Sequence, residues 1–257
     1  ELPLLPNGSC CLGSINLIKF YHAETNMFDF ERFRNVVKIA ATFLDFTISI
    51  SGYPTEDYKT MAENTRPIGL GIMGLADLFC LLEIPYDSEE ARTLANNIFK
   101  NLTQEAILTS MGLGEKYGSF ALFDEASMKM NQLVDGFMPL DEEIEFLRNS
   151  QWTTVAPTGS ISISADCSPG MEPLFGICYT KRLSDSDEKW IFVNPIFEKK
   201  YKEASWYQEG IEKIAENHGS CHGIECIPKE IQKVWKVAHD IGWKDRLLMQ
   251  SKIQEYV

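Results

Sequence analysis

Trp152-Thr153-Thr154-Val155-Ala156-Pro157-Thr158-Gly159-Ser160-Ile161-Ser162 changes character at Pro157. The β-branched run before it favours a strand, and the proline ends that strand. Beyond it, small residues make a turn that exposes consecutive N–H groups and hydroxyls, the equipment that captures a phosphate. No lysine stands where a Walker loop would carry one, and as a bare pattern such a turn is more often an ordinary connection. A second short apolar segment, Leu174 to Tyr179, is another strand candidate.

Working outward, Ile15 to Phe20 can begin a buried strand or a helix. From Asp29 to Ile50, Phe33, Val36, Val37, Ala40, Phe43 and Leu44 recur at i, i+3, i+4, i+7 spacing, which predicts a core-facing helix. Tyr53-Pro54 breaks it, Glu56 to Asn64 offers a short polar helix, and Arg66-Pro67 resets the chain. Another helix is predicted over Leu70 to Leu82. Asp87 with Glu90 resembles a capping box opening a long helix that ends near Gly112 or Gly114. Further helices are expected over Glu142 to Asn149, Pro195 to Ala204, Glu209 to Asn217, Pro228 to Asp240 and Trp243 to Tyr256. Few strands among many helices predict part of a helix-rich α/β fold, with some strands outside this segment. No repeat or linker divides residues 1–257, so they read as a single segment.

The 257 residues carry 44% hydrophobic and 24% charged side chains, an ordinary globular composition. Net charge is −13, from 24 Lys+Arg against 37 Asp+Glu, so there is no broad basic face and no nucleic-acid partner is expected. A small anionic ligand is still compatible, because a few backbone amides hold one phosphate in an acidic protein. The longest apolar run, Ile68 to Leu82, contains Asp77 and is shorter than the roughly 18 residues that suggest a membrane span. With no signal peptide visible, a cytoplasmic location is the default expectation. Seven cysteines, an odd number over a long chain, argue for reduced thiols rather than a disulfide framework, which makes the Asn7 and Asn101 sequons chance matches. Glu1 in place of Met, and an amphipathic stretch running up to Val257, suggest an internal segment of a longer protein.

Gly69-Leu70-Gly71-Ile72-Met73-Gly74 matches the dinucleotide-binding expression, but only Arg66-Pro67-Ile68 precedes it, too little for the required strand. Small residues that let a helix pack closely are the preferred reading. His218, Cys221, His222 and Cys226 could supply four zinc ligands, yet the spacing follows no familiar finger, so no metal site is assigned. Cys10 and Cys11 are adjacent, a geometry that rarely permits a mutual disulfide. Cys80 and Cys178, in apolar surroundings, read as inert core thiols. Glu1 by composition alone is a solvated charge.

Several blocks together resemble the catalytic subunit of ribonucleotide reductase, most closely its adenosylcobalamin-dependent class. They are Glu1-Leu2-Pro3-Leu4-Leu5-Pro6, Ser9-Cys10-Cys11-Leu12-Gly13-Ser14-Ile15-Asn16-Leu17 and Ile68 to Leu78, followed by Ala156 to Ser162, Ser168 to Phe175 and Ala238-His239-Asp240. The resemblance implies a ten-stranded α/β barrel of two parallel halves around a finger loop carrying the radical cysteine. This segment would supply part of it, without the N-terminal half-barrel and the C-terminal end. Glu1 resembles the Glu of the fingertip Asn-x-Cys-x-Glu motif, whose Asn and radical Cys would lie just before residue 1. Cys10 resembles one of the two reducing thiols; Cys11 stands where many relatives have Asn. Ser9, Pro157, Thr158, Gly159, Ser160 and Ile161 look like substrate-binding residues, the last five forming the loop that holds the substrate's phosphate.

The implied chemistry is reduction of ribonucleotides to 2′-deoxyribonucleotides. A cysteinyl radical takes the ribose 3′ hydrogen, Glu1 serves as general base on the 3′-OH, and two thiols become a disulfide as the 2′ hydroxyl leaves as water. The resemblance further implies adenosylcobalamin as radical generator, a thioredoxin-like reductant, the rest of the reductase chain and a homodimer as partners. A protein beginning at Glu1 would carry its α-amino group beside that carboxylate, and the segment alone is expected to be inactive. The rivals are a class I large subunit, a non-catalytic nucleotide-binding or complementing piece, and a zinc module around Cys221.

Overall fold

The computed structural model describes residues 4–139, 142–182 and 189–257. In chain order its elements are β1 (Cys11–Asn16), a 3-10 turn (Leu17–Phe20), the short strands β2 (Tyr21–His22) and β3 (Met27–Phe28), α1 (Phe30–Ile50), α2 (Glu56–Thr65), β4 (Ile68–Met73), α3 (Leu75–Leu82), α4 (Glu89–Tyr117) and α5 (Phe123–Phe137). There follow α6 (Ile161–Ser164), β5 (Cys178–Arg182), β6 (Lys189–Val193), α7 (Pro195–Tyr201), α8 (Tyr207–Glu216), α9 (Lys229–Val234) and α10 (Trp243–Gln254). No described helix is long and apolar enough to cross a membrane.

The centre is parallel. β1 pairs with β4 from Cys11 opposite Ile68 to Asn16 opposite Met73. On the other edge of β4, the Ile68 and Leu70 amides donate to Gln151 O (3.1 Å) and Trp152 O (2.9 Å), and Thr154 N–H donates to Leu70 O (3.1 Å). The expected strand Trp152–Ala156 therefore lies against the sheet, bridged at Thr153 only. A parallel sheet needs cover, and α1 supplies it on one face. Asp29 caps α1 by accepting from Arg32 N–H at 2.9 Å, and Phe33, Val37, Ala41, Leu44 and Ile48 form its buried stripe. Each of the larger of these contributes about 1.5–3 kcal/mol by leaving water. Behind α1 lies α4, burying Ala91, Ala95, Ile98, Phe99, Leu102 and Ala106.

A buried polar network locks these helices to the sheet. Asp45 of α1 is fully buried and accepts from Arg66 Nε (2.9 Å), Asn149 Nδ2 (2.9 Å) and Arg148 Nε (3.4 Å). Arg66 also donates to Asp45 O and Ser49 Oγ, while Asn149 donates to Arg66 O and accepts from Ser110 Oγ of α4. α1, the end of α2 and the Arg148–Asn149 segment thereby meet at one carboxylate, and Ser110 joins α4 to it through Asn149.

Several expectations are corrected. The helix predicted over Leu70–Leu82 is β4 followed by α3. Ile68 to Met73 is buried on both sides, and such a run has no visible two-residue period. Gly69 and Gly71 thus sit inside a strand rather than on a helix. A Cβ on Gly71 would stand 2.5 Å from Thr154 O, so glycine lets the neighbouring segment lie against β4. No helix forms over 142–149. That stretch is a strap across other elements, with Ile144 N–H on Asn131 Oδ1, Leu147 N–H on Ser119 Oγ and Arg148 N–H on Ser110 O. The cap of α4 is Ser88, one residue beyond Asp87, and the helix runs through Gly112 and Gly114. Gly114 lies under the strap, where a Cβ would meet Leu147 N at 2.8 Å. Leu174 to Tyr179 yields an isolated parallel bridge from Leu174 to Val237, and β5 begins only at Cys178, in an antiparallel hairpin with β6. That bridge also ends the Pro228–Asp240 helix early, since Asp240 turns back to accept from Val237 N–H.

Candidate active site

The parallel strands deliver their C-terminal ends to one side, the usual location of ligands in open α/β sheets. Asn16 closes β1, Gly74 follows β4, and Pro157 opens the turn after the third segment. Asn16 Nδ2 donates to Ala165 O (3.3 Å), and Asn16 Oδ1 accepts from Ile18 N–H, so the end of β1 is tied to the end of α6.

Thr158 adopts a left-handed backbone conformation (φ +50°), uncommon for a β-branched residue. Its side chain is buried and its Oγ1 accepts from Gly170 N–H at 2.7 Å, while Thr158 O accepts from Ser162 N–H at 2.9 Å. The hydroxyl is thus engaged in holding the turn. Gly159, Ser160 and Ile161 are exposed, and among the described residues their amides make no hydrogen bond within the chain. Nothing lies within 4 Å of where a Gly159 Cβ would stand. Three N–H groups without a partner in the chain can donate to an anion's oxygens. The turn separates two clefts. Pro157 and Gly170 line one of about 670 Å³, together with Trp152, Met171 and Glu172. Ser162, Cys167 and Ser168 line the other, of about 820 Å³, together with Asp77 and His218.

Beneath the turn, Asp77 of α3 is 1% exposed. Its Oδ2 accepts from Ser168 N–H (2.5 Å) and its Oδ1 from Asn194 Nδ2 (2.9 Å). Ser168 returns the contact: its hydroxyl accepts from Asp77 N–H, and its carbonyl accepts from Gly74 N–H at 2.7 Å. Burial raises the Asp77 pKa, opposed by the bonds from Asn194 and Ser168. Asp77 and Ser168 both stand in the quoted blocks, but their pairing is invisible along the chain. The available signal is a lone carboxylate in the apolar run Ile68 to Leu82.

Cys10 lies at the opposite end of β1, with half-buried Ser9 before it. A Cβ on Gly69 would be 3.2 Å from Cys10 Sγ and 3.0 Å from Thr154 Cγ2, so the thiol occupies the sheet face opposite α1, over the glycine gap. The pleat turns Cys11 the other way, toward Asp45 and Arg66. Burial, and then the neighbouring Cys11 thiol, push Cys10 up to about 12. At neutral pH it is a protonated thiol, a hydrogen donor rather than a nucleophile. Cys10 lines neither cleft. Glu1 lies outside the described residues.

Residues 1–257 match the family model described as ribonucleotide reductase, barrel domain. The chain belongs to the ribonucleotide reductase barrel-domain family. It is 36% identical over 256 residues to a vitamin B12-dependent ribonucleoside-diphosphate reductase of Thermoplasma acidophilum, covering 100% of this chain and 31% of that protein. A reductase of the same name from Mycobacterium tuberculosis (strain CDC 1551 / Oshkosh) is 35% identical over 257 residues, covering 100% of this chain and 35% of the relative. The Caenorhabditis elegans ribonucleoside-diphosphate reductase large subunit is 29% identical, over 96% of this chain and 33% of its own. The chain thus spans about a third of the length of these relatives. Among solved structures, the class Id ribonucleotide reductase alpha subunit of Actinobacillus ureae superposes with a TM-score of 0.73 at 24% identity, over 96% of this chain and 42% of that one. The fold of this barrel-domain family member is accordingly part of an α/β barrel.

Among the described residues no three His, Cys, Asp or Glu side chains converge to hold a metal ion. Cys221 is buried, with Sγ on Trp235 O, so the zinc module around it lacks a cluster. Neither cleft encloses a corrin carrying both adenosyl and nucleotide groups; the described residues do not by themselves make a cobalamin site.

Proposed function

We propose that this chain is one segment, residues 1–257, of the catalytic barrel of a ribonucleotide reductase that converts ribonucleotides to 2′-deoxyribonucleotides. The observation that carries the proposal is the Pro157–Ile161 turn at the C-terminal ends of parallel strands, with the Gly159, Ser160 and Ile161 amides unpaired within the described chain and open space beside Gly159. That turn would hold the substrate's phosphates. Cys10, a protonated thiol on the sheet face opposite α1, would be one of two reducing thiols. Per turnover the two thiols give up two electrons and two protons, the ribose C2′–OH bond is replaced by C2′–H, water leaves and a disulfide forms. Glu1 would act as base on the 3′-OH, and Ser9 would contribute to substrate binding beside Cys10. The second thiol, the radical cysteine and the remaining strands would come from other parts of the protein. A thioredoxin-like dithiol would reduce the disulfide, and the intact protein would work as a homodimer in the cytoplasm.

For the radical source we propose adenosylcobalamin. The support is identity: 36% and 35% to relatives named vitamin B12-dependent, against 29% to the Caenorhabditis elegans large subunit. When bound, that cofactor supplies the initiating radical, and nothing in this segment's share depends on its geometry.

The test is turnover by the intact protein with a ribonucleoside diphosphate and a dithiol, with and without adenosylcobalamin. Cobalamin-dependent deoxyribonucleotide formation, lost in Cys10→Ser, is the expected result. Unchanged turnover in Cys10→Ser would overturn the thiol assignment, and full activity without cobalamin would overturn the class.

A further inference from the structure

Asp77 is a buried carboxylate without an ion-pair partner among the described residues, and burying an unpaired charge is costly unless donors surround it. Both neighbours are donors, the Ser168 amide on one oxygen and the Asn194 side-chain amide on the other. A carboxylate accepts at both oxygens, whereas an asparagine would turn an NH2 toward one of these donors. The site is therefore built for the charged acid. The bonds lead on to the phosphate turn: Ser168 is two residues before Gly170, and Gly170 N–H donates to Thr158 Oγ1. Gly170 itself sits at φ +44°, where an added Cβ would stand 3.0 Å from Ala156 O, so there is little slack between the two loops.

We infer that Asp77 is a positioning residue for the phosphate turn, holding through Ser168 and Gly170 the left-handed Thr158 that aims the Gly159, Ser160 and Ile161 amides at a ribonucleotide's phosphates. The inference rests on the phosphate-binding role proposed above. Asp77 touches no substrate; it acts through the loop.

The experiment compares dissociation constants for a ribonucleoside diphosphate and for the matching ribonucleoside. It uses the intact protein, unsubstituted, as Asp77→Asn, as Thr158→Val and as the double variant. A structural role alone would weaken both ligands together. Positioning predicts that each single variant loses about tenfold of the preference for the diphosphate while nucleoside affinity is kept, and that the double variant loses no more than about either single. Asp77→Asn with the full preference retained, or losses that multiply in the double variant, would overturn the inference. An unsubstituted protein with no preference for the diphosphate fails differently: the phosphate-binding role falls, and this inference with it. Should Asp77→Asn not fold, hydrogen exchange on the unsubstituted protein decides. The Ser168 and Gly170 amides slow about tenfold with the diphosphate and not with the nucleoside, and unchanged exchange overturns the inference.

Discussion

Thr158 and Cys10 show how much a single residue's surroundings decide. In sequence, Thr158 is one hydroxyl in a small-residue turn, and its use as a ligand group is the natural expectation. In the fold the hydroxyl faces inward onto Gly170 N–H, and among the described residues the Gly159, Ser160 and Ile161 amides after it have no partner in the chain. Cys10 and Cys11 are indistinguishable by composition, but the pleat sends them to opposite faces. Because burial raises the Cys10 pKa to about 12, its thiolate forms only well above neutral pH. Alkylation of Cys10 by iodoacetamide, followed by peptide mass spectrometry, is therefore expected to keep accelerating from pH 9 to 11, where an ordinary thiol with a pKa of about 8.5 has levelled off. A plateau by pH 9 would contradict the burial argument.

At the scale of elements, β4 and the 142–149 strap are where local pattern and tertiary structure part. Gly71→Ala would place a methyl against Thr154 O, a backbone atom that cannot swing aside. The expected cost is about 1–3 kcal/mol by urea denaturation, with weaker binding of a ribonucleoside diphosphate, since Thr154 leads directly into the Pro157 turn. An unchanged denaturation midpoint would mean the third segment packs less tightly than its hydrogen bonds require. The network on Asp45 ties α1, the end of α2, α4 and the strap together. Asp45→Ala leaves Arg66 buried without its carboxylate, and a loss of about 3–5 kcal/mol is expected in the same measurement. Phe33, Val37 and Leu44 of the α1 stripe were legible because a helix with one wet face keeps its 3.6-residue period, whereas Phe43, expected on the same face, is exposed at the stripe's edge. β4 was not, because burial on both faces erases the two-residue period.

Across the whole molecule, α10 returns to α4 through side chains far apart in sequence. Arg92 of α4 bonds Asp245 (3.1 Å), Asn96 bonds Lys252 O (2.8 Å), and Thr103 bonds Tyr256 O (2.5 Å). Arg92→Ala is expected to speed amide exchange across Trp243–Gln254 while leaving α1 unchanged; equal exchange in both proteins would show that apolar packing alone holds α10. The acidic balance of −13 predicts no retention of duplex DNA at physiological salt in an anisotropy titration, and micromolar binding would refute that charge argument. From the sequence alone followed the helix-rich α/β class, most of the α1 face and the family, because each rests on local period or on residue blocks read in order. Only the tertiary structure decided that the glycine motif is a strand, that residues 142–149 are a strap, and that Asp77, Ser168, Gly170 and Thr158 form one connected support. Those features are set by which amides and carbonyls meet across 12 to 100 or so positions of chain, a pairing that no window of sequence contains.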